Sequence, residues 1–176
     1  GELMYAAVEG DLKKVKRLLA SGADIEGVEQ GFTALANAAL AGQVAVVKFL
    51  LEKGADVHHV SEHNSTPLYL AAQNDHEGVV RLLLDCGAKI NQAQNTGSTP
   101  LYIAAYQGHE AIVRLLLERG ANISMSISNG ATPLFIAAEK DHESIVRVLL
   151  ERGANMNHVM DDGTTPLSVA SQNGRE

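Results

Sequence analysis

Apolar pairs return along this chain at a fixed step, with polar residues between them. Leu50-Leu51, Leu83-Leu84, Leu116-Leu117 and Leu149-Leu150 are spaced 33 residues apart. The small pairs Ala38-Ala39, Ala71-Ala72, Ala104-Ala105 and Ala137-Ala138 keep the same step. So does Thr66-Pro67-Leu68, which recurs at Thr99, Thr132 and Thr165, with Thr33-Ala34-Leu35 as a variant lacking Pro. Gly54-Ala55, Gly87-Ala88, Gly120-Ala121 and Gly153-Ala154 complete the frame, and the opening segment joins it at a step of 32. A fixed period of this length marks a repeat architecture, in which each unit buries its apolar face only against its neighbours.

Each constant position has a physical reading. Pro in the first turn of a helix loses nothing, because its N–H would be unpaired there anyway. The Thr before it suits an N-cap. Paired alanines let helices approach closely, and the later Gly suits a left-handed C-cap. Each unit therefore predicts a short helix, a turn, a longer helix and a β-hairpin loop to the next. In the unit at Thr66 the helices are predicted over Pro67–Asn74 and Glu77–Cys86. The units run 1–32, 33–65, 66–98, 99–131 and 132–164, with a partial one over 165–176, as one domain without an internal linker. The last unit stops at Gln172-Asn173-Gly174-Arg175-Glu176 after one helix, so a piece of a longer protein is expected.

Composition narrows the function classes. Of 176 residues, 45% are hydrophobic and only 4% aromatic. The core must be aliphatic, which favours helix packing over a β-sandwich. The net charge of −7 argues against nucleic acid and against anionic membrane surfaces as partners. Cys86 is the one cysteine, so no internal disulfide forms. No apolar run reaches membrane-spanning length, and no signal-peptide pattern opens the chain. These features point to the cytoplasm, with the nucleus as the other candidate.

The stretches NSTPLYLAAQNDHEGVVRLLLDCGAKIN and TGSTPLYIAAYQGHEAIVRLLLERGANI resemble ankyrin repeats, and the resemblance extends over the whole chain. It implies an all-α solenoid of stacked helix-turn-helix units. It further implies reversible protein binding on the concave side, built from loop tips and exposed ends of first helices. Carried over by position, the tips are Glu29, Gln30 and Phe32; Glu62, His63 and Ser65; and Asn95, Thr96 and Ser98. They continue with Ser128, Asn129 and Ala131, then Asp161, Asp162 and Thr164. The helix positions are Leu40 and Ala41, Gln73 and Asn74, Tyr106 and Gln107, Glu139 and Lys140, then Gln172 and Asn173. Helices about 10 Å apart over five steps would give a face roughly 50 Å long. Acids outnumber bases in this set, with Glu29, Glu62, Glu139, Asp161 and Asp162 against Lys140, which suggests a protein or peptide partner of basic character. Phe32, Leu40 and Tyr106 are its apolar anchors. Phe32 either forms a patch with Leu40 or folds back over the hairpin base.

Other periodic features read as structural. Tyr69, Tyr102 and Phe135 share one phase and are expected to pack in the core. Lys16, Lys48, Arg81, Arg114 and Arg147 form a basic row, but Glu77, Glu110 and Glu143 lie four residues before the arginines, so helix-face ion pairs are expected there. His76-Glu77, His109-Glu110 and His142-Glu143 start like a zinc-protease helix, yet Val80, Val113 and Val146 occupy the place of the second His, and no metal site follows. His58, His59 and His63 cluster without partner ligands. Asn91 and Asn157 occupy a position that is sometimes hydroxylated in the family. Cys86 is expected to be exposed. Asn37 replaces an aliphatic residue in the most deviant unit, and a buried amide there is expected either to leave that unit the least stable locally or to bond a neighbouring backbone or partner. Asn64, Asp75 and Asp141 replace turn glycines at low cost, since Asn and Asp tolerate left-handed backbone. No catalytic residue and no cofactor is expected, and the monomer is the expected state. The leading function is a scaffold or adaptor. The rivals are a recruiting domain of a larger enzyme or secreted effector, and a spacer.

Overall fold

A computed structural model describes residues 1–172. Asn173 and the residues after it lie outside the described residues, as does the Gln172 side chain. The chain divides into two compact units, Gly1–Lys89 and the part from Ile90 onward.

The first unit holds α1 (Glu2–Glu9), α2 (Leu12–Ala20), α3 (Ala34–Leu40), α4 (Val44–Glu52), α5 (Pro67–Gln73) and α6 (Glu77–Asp85). Helices pair as α1 with α2, α3 with α4 and α5 with α6. The first helices of the pairs stack on one another in one layer, α1 on α3 on α5, and the second helices in another. The second unit repeats this plan with α7 (Pro100–Gln107), α8 (Glu110–Glu118), α9 (Pro133–Glu139), α10 (Glu143–Glu151) and α11 (Pro166–Gln172). The helices predicted over 67–74 and 77–86 form with their caps at Asn74 and Cys86.

The frame residues do what their chemistry predicts. Thr33, Thr66, Thr99, Thr132 and Thr165 each accept, on Oγ1, the backbone N–H three residues on, at 3.1–3.3 Å. Thr33 caps α3 as the others cap their helices, so the missing Pro does not undo the start. Leu50, Leu83, Leu116 and Leu149 are wholly buried between the layers, as is Ala104-Ala105. At the ends of the second helices, Gly54, Gly87, Gly120 and Gly153 have φ of +86 to +89°. The following alanine then reaches back: Ala55 N–H donates to Leu50 O at 3.0 Å, and Ala121 N–H to Leu116 O at 2.9 Å. This is a Schellman closure, and it explains the Ala of the Gly-Ala pair as well as the Gly.

The loops differ from the expected hairpins. Among the described residues they hold no strand, only one isolated bridge between Glu29 and Phe32. Each later loop closes on a tight turn, such as Gly97 N–H to Gln94 O (2.9 Å) under Gln94 N–H to Ser98 O (2.9 Å). One or two cross-loop bonds are too few to make a ladder. The first loop is distinct: Gln30 (φ 50°) and Gly31 (φ 83°) both lie left-handed, as a two-residue type I′ turn requires.

Tyr69, Tyr102 and Phe135 are 4–7% exposed, which places that stripe in the core. Asn64, Asp75 and Asp141 take φ of 61–65°, as expected for stand-ins for glycine.

Candidate partner-binding surface

The exposed positions are set by the same repeats that bury the frame. In the second unit the loop tips are tied into a row. Ser128 N–H donates to Thr96 O at 3.0 Å, and Asp161 N–H donates to Asn129 O at 3.2 Å. Within each tip a polar side chain braces the turn: Asn129 Oδ1 accepts from Ala131 N–H (3.1 Å), and Asp162 Oδ1 from Thr164 N–H (2.9 Å). Hydrogen bonds from Thr164 hold the Asp162 carboxyl below the usual carboxylate range, so the acid stays charged while it braces the loop. Asn95, Thr96, Asn129, Asp161 and Asp162 are all exposed.

At the helix ends, Tyr106 is 39% exposed. The Lys140 ammonium sits 4.8 Å from the centroid of its ring. The Tyr106 backbone carbonyl bonds to His142 Nε2 at 3.0 Å. Gln107, Glu139 and Lys140 are exposed beside it. A cation from the next repeat thus holds the exposed ring in place.

In the first unit Glu29, Gln30, Glu62 and His63 are exposed, and Glu29 pairs with the Gly1 ammonium. Phe32 and Leu40 are each half-buried; Phe32 closes the bridge with Glu29, and the Leu40 carbonyl takes His76 Nε2 at 2.9 Å. Gln73 is half-buried. Asn74 is exposed, with its amide turned back to Leu70 O at 2.8 Å.

Three tip residues are corrected. Ser65 and Ser98 are only 5% and 6% exposed, as is Ala131 at 2%, because the chain turns inward there to reach the N-cap of the next helix. Ser65 N–H is held by Ser61 Oγ at 3.2 Å. These positions shape the loop base and offer no tip surface. Conversely, Val28 and Val159 are 55% and 59% exposed at one phase of the loops, which the sequence reading passed over. The signal was available, since Val60 shares that phase.

The His-Glu starts are structural. His76 and His142 reach back to a carbonyl of the preceding repeat, while Glu77, Glu110 and Glu143 hold Arg81, Arg114 and Arg147 at 2.7, 2.7 and 3.0 Å. Among the described residues no group of three His, Cys, Asp or Glu side chains could hold a metal ion. Asn91 uses its Oδ1 to accept Asn122 N–H at 2.9 Å, so this side chain links two loops. Cys86 is exposed. An apolar hollow of about 600 Å³ lies against α9, α10 and α11, lined by Leu134, Val146, Leu150, Met156 and Leu167 among others. The matching face of the preceding pair, α7 and α8, is covered by α9 and α10. The hollow thus corresponds in position to the face that stacks on the next pair in α7 and α8. No described helix is long and apolar enough to cross a membrane.

A family model for ankyrin repeats (three copies) matches residues 3–94, 56–127 and 124–176. No curated protein matches the sequence. Ankyrin repeats are generally protein–protein interaction modules, and typically non-catalytic. With the match spanning nearly the whole length and the repeated helix pairs in place, the chain belongs to the ankyrin-repeat family.

Proposed function

We propose that the protein is a scaffold or adaptor that recognises a protein or peptide of basic character. The recognising residues are the exposed loop tips and first-helix ends, the concave side in this family. The observation that carries this reading is Tyr106. It is an exposed aromatic fixed by Lys140, and aromatic side chains in such settings dominate binding energy. Around it Glu139 and, on the tied tips, Asp161 and Asp162 add negative charge, which speeds the approach of a basic partner. The backbone ties between tips support the same reading, because a surface ordered beforehand loses little entropy on binding.

The test is affinity capture from source-cell lysate with the wild type and a Phe32→Ala, Tyr106→Ala, Glu139→Ala variant, both shown folded by thermal melts. A partner should be retained by the wild type and lost by the variant. Truncating a Tyr anchor alone should weaken the captured partner by about 2 kcal/mol, roughly thirtyfold. Equal retention by both proteins would refute the assignment of this side.

A further inference from the structure

The basic row does not behave alike in all repeats. Arg81, Arg114 and Arg147 each hold a Glu one turn earlier. In the first two repeats the matching places are Leu12 and Val44, so Lys16 and Lys48 have no such partner. Around them Lys13, Arg17 and Lys53 are also exposed. Among the described residues none of these five cations has a carboxylate within 4.0 Å. Their helices, α2 and α4, are neighbours within the first unit. The acid on the same stretch of α4 is Glu52, which is exposed. At α2's start, Asp11 is engaged as N-cap by Lys14 N–H, and the Lys14 ammonium faces Glu2 at 3.7 Å.

The patch has a centre. Phe49, on α4, is half-buried, and two ammonium groups address its ring: Lys16 at 5.3 Å and Lys53 at 5.7 Å from the centroid. The ring steadies two lysine stems that would otherwise lose rotamer freedom on binding. Two cations gathered at one ring repel each other, and an incoming carboxylate relieves that repulsion.

We propose that the α2–α4 face of the first unit is a second docking site, for a short acidic segment of a protein partner. Its polarity is opposite to that of the tip surface, and it uses second helices rather than first helices and loops. A protein segment fits better than nucleic acid. Each helix has nine residues and is about 14 Å long, while the chain carries a net −7. A long polyanion would run off the patch onto a repelling surface; a short acidic segment would not.

The experiment is fluorescence anisotropy of a labelled peptide of alternating Glu and Leu at low salt, titrated with the whole protein. Its Lys-Leu counterpart and a single-stranded DNA of equal charge are run beside it. The acidic peptide should bind more tightly than the DNA, and only its binding should depend on the α2–α4 lysines. Lys16→Glu with Lys53→Glu should weaken it about tenfold, and Lys140→Glu on the tip side should leave it unchanged. Phe49→Ala should weaken it by a smaller factor. Melting curves check folding, and Lys16→Gln with Lys53→Gln replaces the reversal if that variant is unstable. No binding of the acidic peptide, or no loss of it in the lysine variants, overturns the proposal. DNA bound as tightly as the peptide makes the face a nucleic-acid surface and overturns it too. So does a mass that rises with concentration in the wild type but not in the lysine variants, which would make the occupant a second copy.

Discussion

Gln43 stands where later repeats have His, and the structure gives it the same task. Its Nε2 donates to Val8 O at 2.7 Å, as His76 and His142 reach Leu40 O and Tyr106 O. The departure from the frame keeps the bond between repeats. Gln43→Ala should therefore cost about 1 kcal/mol in chemical denaturation, while Gln43→His should cost little. Of the two outcomes expected for Asn37, the structure shows the bond to neighbouring backbone. Asn37 is half-buried, and its Nδ2 donates to Thr33 O at 3.1 Å, so no polar group is left wanting. Its repeat still places Ala36 where others bury an aromatic ring. Hydrogen exchange should thus be faster in α3 and α4 than in α7 and α8; equal protection would remove the instability reading. Glu110 shows a third residue-scale effect. A hydrogen bond from Ser144, then one from Arg114, holds its carboxyl below the ordinary value. A lowered carboxylate stabilises the fold above its unfolded value, and that contribution is lost as pH falls through the folded one. NMR titration should show a depressed Glu110 midpoint that rises in Ser144→Ala. The sequence announced the Glu110–Arg114 pair by its spacing. It did not announce Ser144, because the contact spans two repeats.

At the scale of the element, caps were legible and loops were not. Thr-Pro starts are chemically local: the hydroxyl, the missing N–H and the helix lie within one turn. Thr132→Ala should lower stability by about 1 kcal/mol, read as a shifted denaturation midpoint at constant slope. The Gly that ends a first helix has a less local reason. A Cβ at Gly108 would come within 2.8 Å of the His142 ring, and φ is +85°. Gly108→Ala should therefore be destabilising by about 1–3 kcal/mol, and part of the loss should return when His142 is also made Ala. Full additivity of the two changes would contradict the proposed clash. The loops were misread because hairpin pairing needs a count of bonds that spacing does not supply. Ser65, Ser98 and Ala131 follow from that error: they were placed at tips but lie buried beneath the turns.

For the whole molecule, the period itself carried the fold, since any unit that cannot bury its face alone must stack on its neighbours. The variable positions carried the candidate surface only in outline. Exposure could be inferred from phase for Asn95, Glu139 and Asp161. The tie between Asn129 and Asp161, and the seat of Lys140 over Tyr106, depend on distances between repeats that no single unit encodes. The same limit hid the unpaired cations around Phe49. There the informative signal was an absence, Leu12 and Val44 in place of Glu. The central claim is recognition of a protein partner through tips and first-helix ends. Hydrogen-exchange footprinting of the protein with its captured partner tests it most directly. The account predicts new protection around Tyr106-Gln107, Glu139-Lys140 and Asp161-Asp162, with α8 and α10 unchanged. Protection confined to α8 and α10, with the tips exchanging as in the free protein, would contradict it.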